Sequence, residues 1–219
     1  MMASVGGHVH PHSYVFAGDS ITDAGRDRND RSSLGNGYVV RIASEFAARD
    51  REATVINLGV GGDRVGDLVR RWNTQVLELD FDHVTIAVGV NDVWRRFDSD
   101  DPTDDVSFER AYRSLAQSVA DRGKGLSFIE PFCLVSQVER PTEWLDELAG
   151  KQRAIERIAS EIGARLVRTH EMLTTAASEF GVTAIAPDGV HPSALGHELI
   201  AHAWLEANVD FRLDTVRGV

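Results

Sequence analysis

A chain of 219 residues, 42% hydrophobic and 26% charged, can bury one sizeable core and has the composition of a soluble globular domain. Its 23 basic and 34 acidic side chains leave a net charge of −11, which argues against nucleic acid or an anionic membrane surface as partner. One cysteine, Cys133, excludes a disulfide framework and a multi-cysteine zinc site, and the longest apolar run, "VTIAVGV" at 84–90, falls far short of the roughly 18 residues of a spanning helix.

The chain opens with "MMASVGGHVHPHS", which has neither a basic segment nor an apolar one ahead of a cleavage site, so no secretory signal is read and a cytoplasmic location is expected. Residues 1–12 read as a flexible tail. His8, His10 and His12 could chelate a metal weakly, but no carboxylate or further histidine is placed to close a site, and no metal is assigned. Residues 13–212 read as a single domain and 213–219 as a second tail.

Short β-branched runs at 14–17, 54–58, 83–88, 126–129 and 165–167 are apolar on consecutive positions, as strands buried on both faces are. Helical spacing fills 37–49, 65–77, 107–122, 144–162, 171–180 and 193–208. This alternation predicts an α/β fold, a five-stranded parallel sheet between two helical layers. The irregular segments 19–35, 92–105, 130–142 and 181–191 leave or reach the carboxyl edge of that sheet, where ligands bind in such folds.

Four motifs sit at that edge: "GDS" (18–20), "NLGVGGDR" (57–64), "GVND" (89–92) and "DGVH" (188–191). A serine hydroxyl is a weak nucleophile unless an imidazole takes its proton, and the imidazole needs a carboxylate to hold its tautomer. Ser20, His191 and Asp188 can fill these roles, with Asp188 three residues ahead of His191 and Pro192–Ser193 opening the next helix. Acyl transfer also develops negative charge on the carbonyl oxygen, which calls for fixed N–H donors. The glycines of "GVGGDR", the Asn91 amide and the Ser20 N–H can supply them, while Asp19 shapes the turn.

These blocks, in this order, resemble the SGNH hydrolases, also called the GDSL esterase/lipase family. The resemblance implies a flavodoxin-like sandwich and a serine esterase with Ser20, His191 and Asp188 as triad and Ser20, Gly62 and Asn91 as oxyanion donors. It calls for no cofactor, and the expected partner is a small acyl ester. The longer stretches "GDSITDAGR", "GNGYV", "GDRVGDLVRRW" and "VNDVWRRFD" are similar to intracellular carbohydrate esterases that deacetylate xylan or xylo-oligosaccharides. That narrower likeness implies an acetyl ester substrate and allows a homo-oligomer. Pro187 stands where some xylan-active relatives carry an aromatic residue, so lysophospholipase-like and acetylhydrolase-like activities on lipid esters stay open.

Rival readings of single residues are weighed against this. A non-catalytic carbohydrate-binding module would not need an intact triad. Gly59, Gly61 and Gly62 could begin a dinucleotide cradle, but Arg64 occupies the third glycine's place. Trp94, next to Arg95 and Arg96, is either a sugar platform or a packing residue, and Arg64 is a further candidate for substrate contact. Trp72 and Cys133 read as core, His170, His197 and His202 as helix-surface or packing residues. Asp98, Asp100, Asp101, Asp104 and Asp105 read as a solvated loop rather than a calcium site.

Overall fold

In the computed structural model, which describes residues 12–49, 51–135 and 139–209, five strands form one wholly parallel sheet. They are β1 (His12–Gly18), β2 (Ala53–Asn57), β3 (His83–Ala87), β4 (Gly125–Ile129) and β5 (Arg165–Val167), in spatial order β2-β1-β3-β4-β5. Parallel neighbours need crossovers, and helices supply them: α1 (Ser20–Asp23), α2 (Tyr38–Ala48), α3 (Val65–Trp72), α4 (Val90–Asp98), α5 (Asp105–Ala120), α6 (Pro141–Ile162), α7 (Thr169–Phe180), α8 (Val182–Ile185) and α9 (Ala194–Asn208). A π-helical turn, Asn73–Leu77, prolongs α3.

Because side chains alternate along a strand, β1 feeds two cores. Val15 and Ala17 join Val84, Ile86 and Phe128 under α3, α5 and α6, where Leu68, Trp72, Tyr112 and Ile155 close one face. Phe16 joins Tyr38, Ile42, Phe46, Leu173, Ile200 and Trp204 from α2, α7 and α9 on the other. The result is the three-layer α/β/α sandwich that the apolar runs predict. All five residues of β3 are buried, and its polar Thr85 accepts a hydrogen bond from Trp204 Nε1 at 2.9 Å. Among the described residues, no helix is long and apolar enough to cross a membrane.

The chain steps outward from β1 to β2, then returns to the other side of β1 for β3. This reversal opens a crevice beyond the carboxyl ends of β1 and β3, the place where doubly wound sheets bind ligands.

Several local expectations are corrected. The segment 92–105 is not one loop: α4 runs through Asp98, with Val90 and Val93 buried and Phe97 half-buried at helical spacing. The acidic residues around it are exposed, as expected, and four of the five are also paired. Asp98 pairs with Arg95, Asp101 with Arg64, and Asp105 with the wholly buried Lys151, while Asp104 caps α5 through the Ser107 N–H. His12, expected in the tail, opens β1 and pairs in register with Ala53. His8, His10 and residues 213–219 lie outside the described residues.

Candidate active site

The nucleophile candidate is placed by a close approach of two strands. At Gly18 a β-carbon would lie 2.2 Å from the Ala87 carbonyl oxygen and 2.4 Å from Thr22 Oγ1, so only glycine lets β1 end against β3. Asp19 then donates its N–H to Ala87 O (3.2 Å), and its carboxylate accepts from the Ile21 N–H (3.0 Å). That cap opens α1, with Ser20 as its first residue. Asp19 is fully enclosed. Desolvation pushes its carboxyl up to about 7, the negative Asp92 and Asp63 push the same way, and the Ile21 N–H opposes them.

The loop after β2 continues the parallel pairing, Leu58 N–H donating to Phe16 O (2.7 Å) and Val60 N–H to Gly18 O (2.9 Å). Gly59 packs on the backbone of Thr22 and Asp23, where a β-carbon would come within 2.1 Å of the Asp23 nitrogen. Gly61 donates to Asp23 Oδ2 (2.9 Å), which also accepts from Arg28 Nε (3.0 Å). A side chain on Gly61 would place its first carbon 3.8 Å from Ser20 Cβ, so this loop borders the serine. Gly62 follows at φ +88°, open on its side-chain side. Arg64 turns away as the N-cap of α3, its guanidinium bound to the Asp101 carboxylate (2.9 Å) and carbonyl (3.1 Å).

The third motif lies in the first turn of α4. Asn91 is buried and donates one amide N–H to Asp63 O (3.1 Å), leaving the second for another acceptor. Asp92 accepts from the Val65 N–H (3.0 Å), fastening the start of α3 to α4. Burial pushes the Asp92 carboxyl up to about 6.

The last motif closes the site. Asp188 Oδ1 accepts from the backbone of Val190 (3.0 Å) and His191 (2.7 Å), and Oδ2 accepts from His191 Nδ1 (2.6 Å). The desolvation of Asp188 is outweighed by these hydrogen bonds, chiefly the one from the imidazole, so its carboxyl lies below the usual range. A carboxylate only accepts, so the imidazole proton belongs on Nδ1 and the Nε2 lone pair faces Ser20 Oγ at 3.0 Å. Hydroxyl, imidazole and carboxylate thus form one hydrogen-bonded chain from residues 171 positions apart.

Of the residues singled out from sequence, Ser20, His191 and Asp188 meet directly, Gly62 lies in the loop beside Ser20, and Asn91 reaches that loop through Asp63. Trp94 lies half-buried beside the imidazole, ring centres 5.9 Å apart, with its edge on Trp144. Phe97 stacks on Trp144 and is covered by Arg140. Cys133 is buried, its thiol pushed up to about 12, as a packing residue would be. His197 is buried against Tyr38, and burial pulls its imidazole down to about 4. Sequence reading missed Asp23 and Arg28, which hold Gly61, and Asp63, Arg71 and Asp92, which hold the start of α3. Their only signal was a high density of charge next to glycine-rich loops.

Comparisons with known proteins show the family to which the chain belongs. Residues 16–199 match the GDSL-like Lipase/Acylhydrolase family. An acetylxylan esterase of Geobacillus stearothermophilus is 32% identical over 201 residues, covering 87% of this chain and 91% of its own. The crystal structure of an acetylxylan esterase from that organism superposes with a TM-score of 0.82 at 30% identity, covering 90% of this chain and 93% of that one. LAE5, an alpha/beta hydrolase enzyme from the metagenome of Lake Arreo, gives 0.82 at 29% identity over 90% and 94%. The chain belongs to the GDSL-like lipase/acylhydrolase family and is a carboxylic ester hydrolase.

Proposed function

We propose that this enzyme is a serine esterase that removes short acyl groups, in particular acetyl groups, from a carbohydrate such as a xylo-oligosaccharide. The observation that carries the reading is the unbroken chain Ser20 Oγ, His191 Nε2, His191 Nδ1, Asp188 Oδ2. Ser20 attacks the ester carbonyl as His191 takes its proton, and Asp188 stabilises the imidazolium so formed. The carbonyl oxygen becomes an oxyanion held by the N–H groups of Ser20 and Gly62 and the free N–H of Asn91. Collapse expels the alcohol, which takes the proton from His191 and leaves Ser20 acylated. Water, deprotonated by His191, then attacks the acyl carbonyl, and a second collapse releases the acid and frees Ser20.

The likeness to an acetylxylan esterase and the position of Trp94 beside His191 support a sugar on the alcohol side, since an indole face suits a pyranose ring. Two measurements test the reading. Ser20→Ala should abolish p-nitrophenyl acetate hydrolysis and fluorophosphonate labelling with the fold retained, and unchanged turnover removes Ser20 from the mechanism. Acetylated xylo-oligosaccharides should be hydrolysed faster than long-chain p-nitrophenyl esters, and a preference for chains beyond about eight carbons points to a lipid substrate instead.

A further inference from the structure

The buried pair Asp63–Arg71 takes no part in proton transfer or substrate contact, yet it touches every segment that carries an oxyanion donor. Only about a tenth of each side chain is exposed, and Arg71 Nε lies 2.7 Å from Asp63 Oδ2. A second nitrogen of the same guanidinium donates to Gly18 O at 3.1 Å, two residues before Ser20. Gly18 O also accepts from the Val60 N–H, so the last carbonyl of β1 is gripped by the glycine loop and by α3 together. Asp63 follows Gly62 directly, and its own carbonyl orients the Asn91 amide at 3.1 Å.

A buried ion pair is a poor way to add stability, because desolvating both charges offsets most of their attraction. Burial indeed raises the Asp63 carboxyl above its usual range, with the Arg71 hydrogen bond opposing it. What a planar guanidinium does well is fix geometry, since its donors are set in a rigid fork. Here the fork bridges Gly18 and Asp63, which stand next to the segments bearing the Ser20, Gly62 and Asn91 donors. Each donor acts only if it is aimed at the developing charge, and a displacement of about 1 Å can cost about 100-fold in rate.

Resting on the assignment of Ser20, Gly62 and Asn91 as oxyanion donors, we infer that Arg71, through Asp63 and the Gly18 carbonyl, is the positioning residue that holds these three donors at one point. Lysine at 71 keeps the charge but presents a single point of contact in place of the fork. Arg71→Lys should therefore lower kcat for p-nitrophenyl acetate by roughly 10- to 100-fold with KM within about twofold, since only transition-state contacts are lost. Asp63→Asn should act in the same direction, and provides a second variant if Arg71→Lys fails to fold.

A double-mutant cycle separates positioning from a general structural role. In the Asn91→Ala background, Arg71→Lys should cost clearly less than it does in the wild type, because one of the three donors it aims is already gone. Folded variants with unchanged kcat, or losses from Arg71→Lys and Asn91→Ala that multiply independently, overturn the inference. Fluorophosphonate labelling of the wild type at Ser20 is the control for the underlying reading. Failure to label sinks both claims, whereas labelling with an inert Arg71→Lys substitution sinks only this one.

Discussion

Asp188 holds His191 twice, by the imidazole Nδ1 at 2.6 Å and by the backbone N–H at 2.7 Å, one carboxylate oxygen for each. One oxygen orients the ring and the other shapes the loop that carries it. The two tasks are separable by substitution. Asn at 188 keeps its one oxygen for the backbone and so presents its NH2 donor to the ring nitrogen, which forces the other tautomer. Asp188→Asn should lower kcat by about 10³- to 10⁴-fold with an unchanged circular dichroism spectrum, as measured on p-nitrophenyl acetate. A loss below tenfold would mean that the carboxylate charge is not needed.

Trp94 stands between the triad and an aromatic stack, which gives it two separable effects. Trp94→Phe keeps an aromatic surface against Trp144 and shortens the face beside His191. It should raise KM for acetylated xylo-oligosaccharides several-fold while leaving p-nitrophenyl acetate within about twofold, since only the sugar loses a stacking surface worth about 1 kcal/mol. Equal changes on both substrates would make Trp94 a packing residue.

Asp19 makes stability depend on pH in an unusual direction. Its carboxyl rises from 3.8 to about 7 on folding, so between those values the folded chain binds a proton that the unfolded chain has released. Stability from this group is therefore lost as pH rises through the window. Asp19→Asn, which can still cap α1, should raise unfolding free energy by roughly 2–4 kcal/mol at about pH 8 and by little near pH 4. His197 acts oppositely, because its imidazole falls from 6.5 to about 4 and its contribution is lost as pH falls through that range. Urea titrations of wild type, Asp19→Asn and His197→Gln at three pH values check both slopes.

Gly59 carries a steric prediction. A methyl group there meets the backbone of Thr22 and Asp23 at 2.1–2.7 Å, with no flexible side chain able to give way. Gly59→Ala should destabilise the chain by several kcal/mol, or push the glycine loop away from α1 and lower kcat at least tenfold. Thermal melting and turnover, measured on the same preparation, distinguish these outcomes.

The parallel sheet was legible because its strands are buried on both faces and so read as apolar runs, "TVINL" and "HVTIAV" among them. The Ser20–His191–Asp188 hydrogen-bonded chain was legible because Ser20 stands in a short motif at the exit of β1, while Asp188 and His191 share another between α8 and α9. Helix α4 was not: "VNDVWRRFD" begins with Asn and Asp and runs into further aspartates, and that polarity hid the spacing of Val90, Val93 and Phe97. The supports of the site were hidden for another reason. Asp63 and Arg71 lie eight residues apart across a helix start, and Asp23 meets Gly61 across 38 positions, so no local periodicity records either pairing. Such contacts exist only once β1, β2 and α3 have docked.

Ser20 follows the first strand, and the imidazole it meets, His191, lies just ahead of α9, the last helix described. Phe16 and Trp204 pack together on the same side of the sheet, so the first strand and the last described helix share one core. Under the proposed mechanism, a polypeptide still short of residue 191 carries Ser20 but not the imidazole that withdraws its proton. Truncation ahead of residue 191 should therefore abolish hydrolysis although every strand of the sheet is already present.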